Sequence, residues 1–294
     1  KVESNEAKLQ KLQQRLGEIK IFDPACGSGN FLIIAYKELR KLEMEVLKRL
    51  QEIEAKRTGG QISQPFSVIK LSQFYGIELD DFAHEVAILS LWLAEHQMNV
   101  EFKTEFGESL PSLPLKRGGN ITSGNALRKS WEDVCQNNGE IYILGNPPYA
   151  GQRNQNELHK ADLDTVFKGL KTYKKLDYIA CWFYKASGYI KQGQSFSFVT
   201  TNSICQGIQV DNLWPKLFSK GVEISFAYEA FKWRNNAKDN AGVTCSIIGM
   251  RKSSSLPKYL FGDGLRKVAG NINAYLVDGP DVIVEKSNKV ISSL

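Results

Sequence analysis

No run of apolar residues in the sequence approaches the ~18 that a membrane-spanning helix needs, so no membrane partner is expected. The five cysteines, Cys26, Cys135, Cys181, Cys205 and Cys245, are irregularly spaced and form no CxxC pair. With only three histidines beside them, a zinc site and a secreted disulfide framework are both disfavoured. The first residues, Lys1 to Lys11, are charged and lead into no apolar stretch, so no secretory signal is legible there. Internal repeats are absent. These absences read as a chain of a reducing cytoplasm with no metal requirement.

What is present is a globular balance, 42% apolar and 24% charged over 294 residues. The net charge of +6 is unevenly placed. Residues 1–150 carry 18 basic and 20 acidic side chains, whereas residues 151–294 carry 20 and 12. The second half therefore offers either a solvated basic face or a surface for a polyanion.

Leu9, Leu12 and Leu16 lie at helical spacing in an entering helix. Ile19 to Phe22 reads as a buried strand ending at Asp23, and a small-residue turn follows, Pro24 to Asn30. The next helix is expected to turn Leu32, Ala35, Leu39, Leu42, Val46, Leu50 and Ile53 to one face and to stop near Thr58-Gly59-Gly60. Phe74 to Ile77 reads as a second strand, and the helix after it, Phe82 to His96, is expected to point Val86, Leu89 and Leu93 inward. Further strands are read at 120–122, 140–145, 195–201, 222–228 and 243–250, with a helix at 176–191. Alternating strands and helices predict an α/β fold built on a mostly parallel sheet. The polar motifs all follow strand ends, the edge where such sheets bind ligands.

The stretch Asp23-x-x-x-Gly27-x-Gly29 between a strand and a helix has the form of a nucleotide cradle, because glycine lets backbone approach a ligand. A third fingerprint glycine is replaced by Leu32, which disfavours a pyrophosphate. Asp23 stands where a cationic amine could be held, and Glu78, ending the next strand, where it could accept from ribose hydroxyls or serve only as a helix-capping acid. Both features fit S-adenosylmethionine better than NAD. Asn125 could pair with an adenine edge or serve only as the turn residue of Gly-Asn.

Asn146-Pro147-Pro148-Tyr149 is the most informative segment. Two prolines stop the strand and fix the chain direction. The Asn146 side-chain oxygen and the Pro147 carbonyl can then both accept from one substrate amino group, while Tyr149 offers a stacking surface.

Asp23 to Leu32 taken with Asn146 to Tyr149 resembles the amino-methylating DNA methyltransferases, the adenine-N6 enzymes of restriction–modification systems. The order of the two motifs resembles the gamma class, and the whole is most similar to fused type IIG/IIL enzymes. That resemblance implies a class I S-adenosylmethionine-dependent fold, Rossmann-like, with helices on both sheet faces. It implies cofactor contacts from Asp23, Ala25, Gly27, Gly29, Asn30, Phe31, Glu78, Leu79, Asn125 and Ala126. Asn146, Pro147, Pro148 and Tyr149 would be catalytic. Phe231, in a segment resembling the family's later aromatic motif, would stack on the flipped base with Tyr149. Lys171, Lys174, Lys175, Lys232, Arg234 and Lys238 are expected to meet phosphates of double-stranded DNA. Residues 1–18 are then a helix leading in, 19–252 the catalytic domain, and 253–294 a linker towards a target-recognition domain in a longer parent, which could also carry a nuclease.

The expected reaction is direct methyl transfer to adenine N6 after the base leaves the duplex. No covalent nucleophile is needed, so Cys26 is read as a packing residue. The Pro-Cys motif of cytosine-C5 enzymes is absent. A protein glutamine methyltransferase, an RNA base methyltransferase and a catalytically silent DNA-binding module remain as alternatives.

Overall fold

The computed structural model of the chain describes residues 2–107, 119–232 and 244–282. They fall into two compact units, Lys1–Gly145 and Asn146–Leu294. The boundaries expected at residues 18 and 252 lie inside these units.

The first unit alternates α1 (Val2–Glu18), β1 (Lys20–Asp23), α2 (Asn30–Thr58), β2 (Phe74–Glu78), α3 (Asp81–Phe106), β3 (Asn120–Ser123), the short α4 (Trp131–Val134) and β4 (Ile141–Gly145). Its strands run parallel in the order β3-β2-β1-β4. The chain steps outward from β1 through β2 to β3, then returns to the other side of β1 with β4. The carboxyl ends of β1 and β4 therefore flank a switch point, where open α/β sheets bind ligands.

Local signals account for the helix ends. Gly29 enters α2 at φ 85° and Gly59 leaves it at φ 75°, donating its N–H to Ala55 C=O. Such left-handed positions suit glycine because it has no Cβ. Asp80 caps α3 by accepting the Ala83 N–H at 2.8 Å.

Two helix faces differ from expectation. On α2 the buried side chains are Leu32, Tyr36, Arg40, Glu43, Met44, Val46, Leu47 and Ile53, and Leu42 is exposed. The face is rotated because α2 buries the charged pair Arg40 and Glu43 rather than a purely apolar stripe. On α3 the inward residues are Ala87, Leu91, Ala94, Met98 and Phe102, while Leu89 and Leu93 face outward. Both stripes on α3 have helical spacing. The one holding alanines packs inward because α3 lies close over the glycine turn, where a Cβ on Gly29 would sit 3.3 Å from Ala87 Cβ.

The second unit holds α5 (Glu157–Val166), α6 (Ala180–Tyr189), β5 (Ser195–Thr201), α7 (Gly207–Phe218), β6 (Val222–Lys232), β7 (Thr244–Lys252), β8 (Lys258–Gly262) and β9 (Leu265–Ala269). Strand order is β5-β7-β6-β8-β9. β7 is antiparallel to both β5 and β6, β8 is parallel to β6, and β9 is antiparallel to β8. The α/β class stands, with this unit mixed rather than mostly parallel. Phe183, Phe196 and Phe198 pack edge-on in its core, and buried Trp214 donates its indole N–H to Ile204 C=O.

The segment 253–294, expected as a linker, contributes the β8–β9 hairpin to the sheet. Its two-residue turn, Asp263-Gly264, has both φ values positive, 48° and 75°. That geometry matches strand twist and favours Asp-Gly.

Candidate active site

Four strand ends meet on the carboxyl edge of the first unit. Asp23 closes β1 and is fully buried. Its Oδ1 accepts the Ala25 N–H at 3.0 Å, and its Oδ2 has no hydrogen-bond partner. Burial raises the carboxyl to about 7, the Glu78 charge adds to this, and the Ala25 N–H opposes it. A buried acceptor left unpaired is costly unless a ligand completes it.

The turn after Asp23 runs through Gly27 at φ 54° and Gly29 at φ 85°. Nothing lies within 4 Å of a Cβ built on Gly27, so its glycine answers to backbone torsion rather than to space. Cys26 is buried, donates its N–H to Ile77 C=O, and its thiol is pushed up by burial and by Asp23, as befits a packing residue.

Glu78 does not cap α3; Asp80 does. Glu78 Oε2 accepts the Gly27 N–H at 2.7 Å and Oε1 accepts the Asp80 N–H at 2.8 Å. One carboxylate thus ties the end of β2 to the glycine turn. The Gly124 N–H donates to Glu78 C=O at 2.7 Å, bringing the end of β3 to the same place. Asn125 behaves as a turn residue: its Oδ1 accepts the Leu127 N–H, and its C=O accepts from Arg128 and Lys129. Ala126 is buried, with its C=O taken by the Trp131 indole N–H. Asn30 and Leu79 are exposed, and Ala25 and Phe31 half-buried, around this edge.

Gly145, the last residue of β4, escaped the sequence reading. A Cβ there would lie 2.5 Å from Asp23 Oδ1. Only glycine leaves room for the buried carboxyl, so Gly145 shapes the site by absence. Glycine directly before Asn146 was the only available signal.

The second unit opens on the Asn-Pro-Pro-Tyr segment. Asn146 Oδ1 is buried and has no hydrogen-bond partner. Pro147 is buried, Pro148 exposed and Tyr149 half-buried. Burial raises the Tyr149 phenol, with smaller contributions from the Cys245 thiol and the Asp177 carboxyl. Phe231 on β6 pairs with Cys245 on β7. Paired residues share a sheet face, so Phe231 and Cys245 lie side by side on one face of the sheet.

A clamp holds the chain just beyond Tyr149. The Ala150 N–H donates to Asp177 Oδ1 at 3.0 Å. Ala150 C=O accepts from the Tyr178 N–H at 3.0 Å and from Gln155 Nε2 at 2.8 Å. The Ile179 N–H also donates to Asp177 Oδ1, and the Asp177 N–H donates to Gln209 Oε1. Burial raises the Asp177 carboxyl against these backbone bonds. Asp177, Gln155 and Gln209 were not foreseen, because isolated polar residues carry no motif.

Lys171, Lys174 and Lys175 are exposed on the turn between α5 and α6, and Lys232 is exposed at the end of β6. Arg234 and Lys238, expected to flank Phe231, lie outside the described residues, as do 233 and 240–243 of the later motif.

The family described as MmeI, DNA-methyltransferase domain, matches residues 1–262. DNA methyltransferase A of Bacillus subtilis (strain 168) is 49% identical over 292 residues, covering 98% of this chain and 32% of that protein. The type II restriction enzyme and methyltransferase RM.Eco57I of Escherichia coli is 28% identical over 178 residues, 54% of this chain and 17% of that protein. Among solved structures, the type IIL restriction-modification enzyme MmeI in complex with DNA superposes with a TM-score of 0.90 at 42% identity. That match covers 99% of this chain and 39% of the other. The chain thus spans about a third, or less, of the length of these curated relatives.

Proposed function

The chain belongs to the MmeI DNA-methyltransferase domain family, and from that premise we propose that it methylates N6 of an adenine flipped out of double-stranded DNA, with S-adenosylmethionine as donor. It would act as the modifying part of a longer cytoplasmic restriction–modification protein that also recognises the target and can carry a nuclease. The observation that carries this reading is Asn146 Oδ1, a buried acceptor with no partner at the head of an Asn-Pro-Pro-Tyr segment.

The residues present fit the cofactor. Asp23 Oδ2 is a buried oxygen awaiting a donor, as an ammonium group would be. Glu78 keeps further lone pairs on both oxygens for ribose hydroxyls. S-adenosylmethionine, when bound, supplies an electrophilic methyl group on a sulfonium.

Asn146 Oδ1 and Pro147 C=O accept the two amino hydrogens of adenine. Accepting them returns lone-pair density to N6, which is otherwise conjugated with the ring. Tyr149 and Phe231 stack on the base and replace part of the stacking lost when it leaves the duplex. Asp177 fixes Ala150 and with it the direction of the loop. Catalysis on this reading is positioning and charge complementarity. Lys232, Arg234 and Lys238 meet phosphates.

The test uses the full-length protein containing this chain. Incubation with S-adenosylmethionine and unmethylated duplex DNA, digestion and mass spectrometry should yield N6-methyldeoxyadenosine. N4-methyldeoxycytidine would overturn the base assignment. No methylated nucleoside, despite bound cofactor, would leave a silent module or a glutamine or RNA substrate.

Asp23 makes cofactor binding pH-dependent. Its carboxyl is raised from 3.8 to about 7 by burial. In the free chain the folded state therefore holds a proton that the unfolded state has released, and this group removes stability as pH rises through that window. A bound ammonium favours the carboxylate, so binding below pH 7 expels the proton. Affinity measured by calorimetry should rise from pH 5 to pH 7 and then level off. Asp23→Asn should bind weakly and show no such rise. A wild-type affinity that stays flat over this range would remove Asp23 from the ammonium site.

A further inference from the structure

A cleft of about 1110 Å³ lies within the second unit, away from the Asn-Pro-Pro-Tyr loop in sequence. Its wall is the turn 170–175, the start of α7 and the loop at Tyr275. Small-molecule pockets run to ~300–1,000 Å³, so one nucleotide would leave it partly empty.

Three properties specify an occupant. Lys171, Lys174 and Lys175 line it, and none of them joins an ion pair among the described residues. Leu170 and Ile208 give the cleft apolar wall, and the ring of Tyr275 is 38% exposed beside them. The lysine turn is also held rigidly. The Tyr173 ring stacks on Phe167 at 5.7 Å, its hydroxyl donates to Asp164 at 2.7 Å, and Gln209 Nε2 donates to Lys175 C=O.

Backbone strain gathers here too. Among the described residues, only Thr172, Asp263 and Leu276 are non-glycine positions with positive φ. Asp263 belongs to the hairpin turn. Thr172, at φ 59°, lines the cleft, and Leu276, also at φ 59°, adjoins Tyr275. A β-branched residue in the left-handed region is unfavourable by ~1–3 kcal/mol and persists where surrounding structure over-determines it, commonly at ligand clamps.

A duplex backbone presents phosphates to a flat basic surface and needs neither concavity nor an aromatic. An unpaired strand presents phosphates and bare base faces together. We propose that this cleft binds a short unpaired stretch of nucleic-acid strand, with phosphates on the three lysines and a base on Tyr275. The proposal rests on the DNA reading above and adds to it nucleotide contacts from Lys171, Lys174, Lys175 and Tyr275, none of which lies in the Asn-Pro-Pro-Tyr segment.

The probe is a short single-stranded oligothymidylate, with affinity for the full-length protein containing this chain measured by fluorescence anisotropy across a salt series. Wild type should bind with a steep salt dependence. The Lys171→Ala, Lys174→Ala, Lys175→Ala triple variant should have a slope of log K against log salt shallower by about 2. Tyr275→Ala should weaken binding between about fivefold and a hundredfold with the slope unchanged. All four substituted residues are exposed, so folding should survive, and circular dichroism checks that. No oligothymidylate binding, an unchanged slope in the triple variant, or unaltered affinity in Tyr275→Ala each overturns the proposal. Loss of slope with duplex alone would make the lysines a backbone contact and overturn it equally. Failure of the methylation assay with these oligonucleotide results intact would sink the enzymatic reading and leave the cleft standing.

Discussion

Asn146→Ala should slow methyl transfer by at least ~10²–10³-fold, the range for removing one preorganised polar group from a reacting centre, and should raise stability or leave it unchanged. The two halves of this expectation come from one atom. Asn146 Oδ1 is buried without a hydrogen-bond partner, which costs the folded state ~1–3 kcal/mol. Alanine removes that cost together with the acceptor for the adenine amino group. Cofactor affinity should hold, because the cofactor residues assigned above lie in the first unit. Single-turnover methylation, cofactor calorimetry and thermal unfolding of the same variant separate the terms. A retained transfer rate would end the catalytic assignment. A loss of stability would show that Oδ1 has a structural partner in solution and acts as part of the fold.

Strand ends were the most legible part of the sequence. Each glycine or acid after a β1, β2 or β3 signal is found at the carboxyl edge of the first unit, because parallel strands force polar motifs there. Ser195 to Thr201 is a strand over its full expected length, since Phe196 and Phe198 alternate with serines and lead into the β-branched run Val199, Thr200 and Thr201. Helix faces were less legible. α3 carries two apolar stripes, and only the closeness of Gly29 to Ala87 decides between them, a tertiary fact. The helices α5 and α7 were missed: α7 holds Pro215 within it, a residue that reads as a break. The β8–β9 hairpin was hidden behind a Ser and Gly composition that resembles a linker, although Asp263-Gly264 is a hairpin signal. At the site itself, motif residues were visible and their supports were not. Asp177 acts through hydrogen bonds to backbone N–H groups and Gly145 through a missing methyl group, and neither leaves a pattern in a single sequence.

The largest stability effect should come from Glu43→Ala, a residue no motif marks. Glu43 and Arg40 are both buried on α2, with Glu43 Oε2 3.2 Å from Arg40 Nε. That nitrogen is near but not aligned for a hydrogen bond, so the pair is held by charge and by its other partners. Arg40 Nη1 donates to the Tyr36 hydroxyl at 2.6 Å and to Asn99 Oδ1 at 3.1 Å. Glu43 accepts the Ser67 hydroxyl and the N–H groups of Val68 and Ile69. Removing the carboxylate strands a buried guanidinium and leaves those donors without their acceptor. Breaking a buried pair from one side costs ~3–5 kcal/mol, enough to lower Tm by roughly 10 °C for a unit of this size. Arg40→Met with Glu43→Met removes both charges; it leaves the donors at 67–69 without an acceptor and the Tyr36 hydroxyl and Asn99 Oδ1 without a donor, but no buried charge is stranded, so it should be less damaged than Glu43→Ala. Glu43→Gln keeps an acceptor for Val68 and Ile69 but not the countercharge, and should fall between them. A cost below ~1 kcal/mol in Glu43→Ala would mean that water already satisfies Arg40 and the 67–69 donors. The network also bears on the site, because residues 67–69 lead through Leu71 into β2, which ends on Glu78. If Glu43 sets the entry of β2, cofactor affinity in Glu43→Ala should fall well below the wild-type value even at temperatures where the variant remains folded.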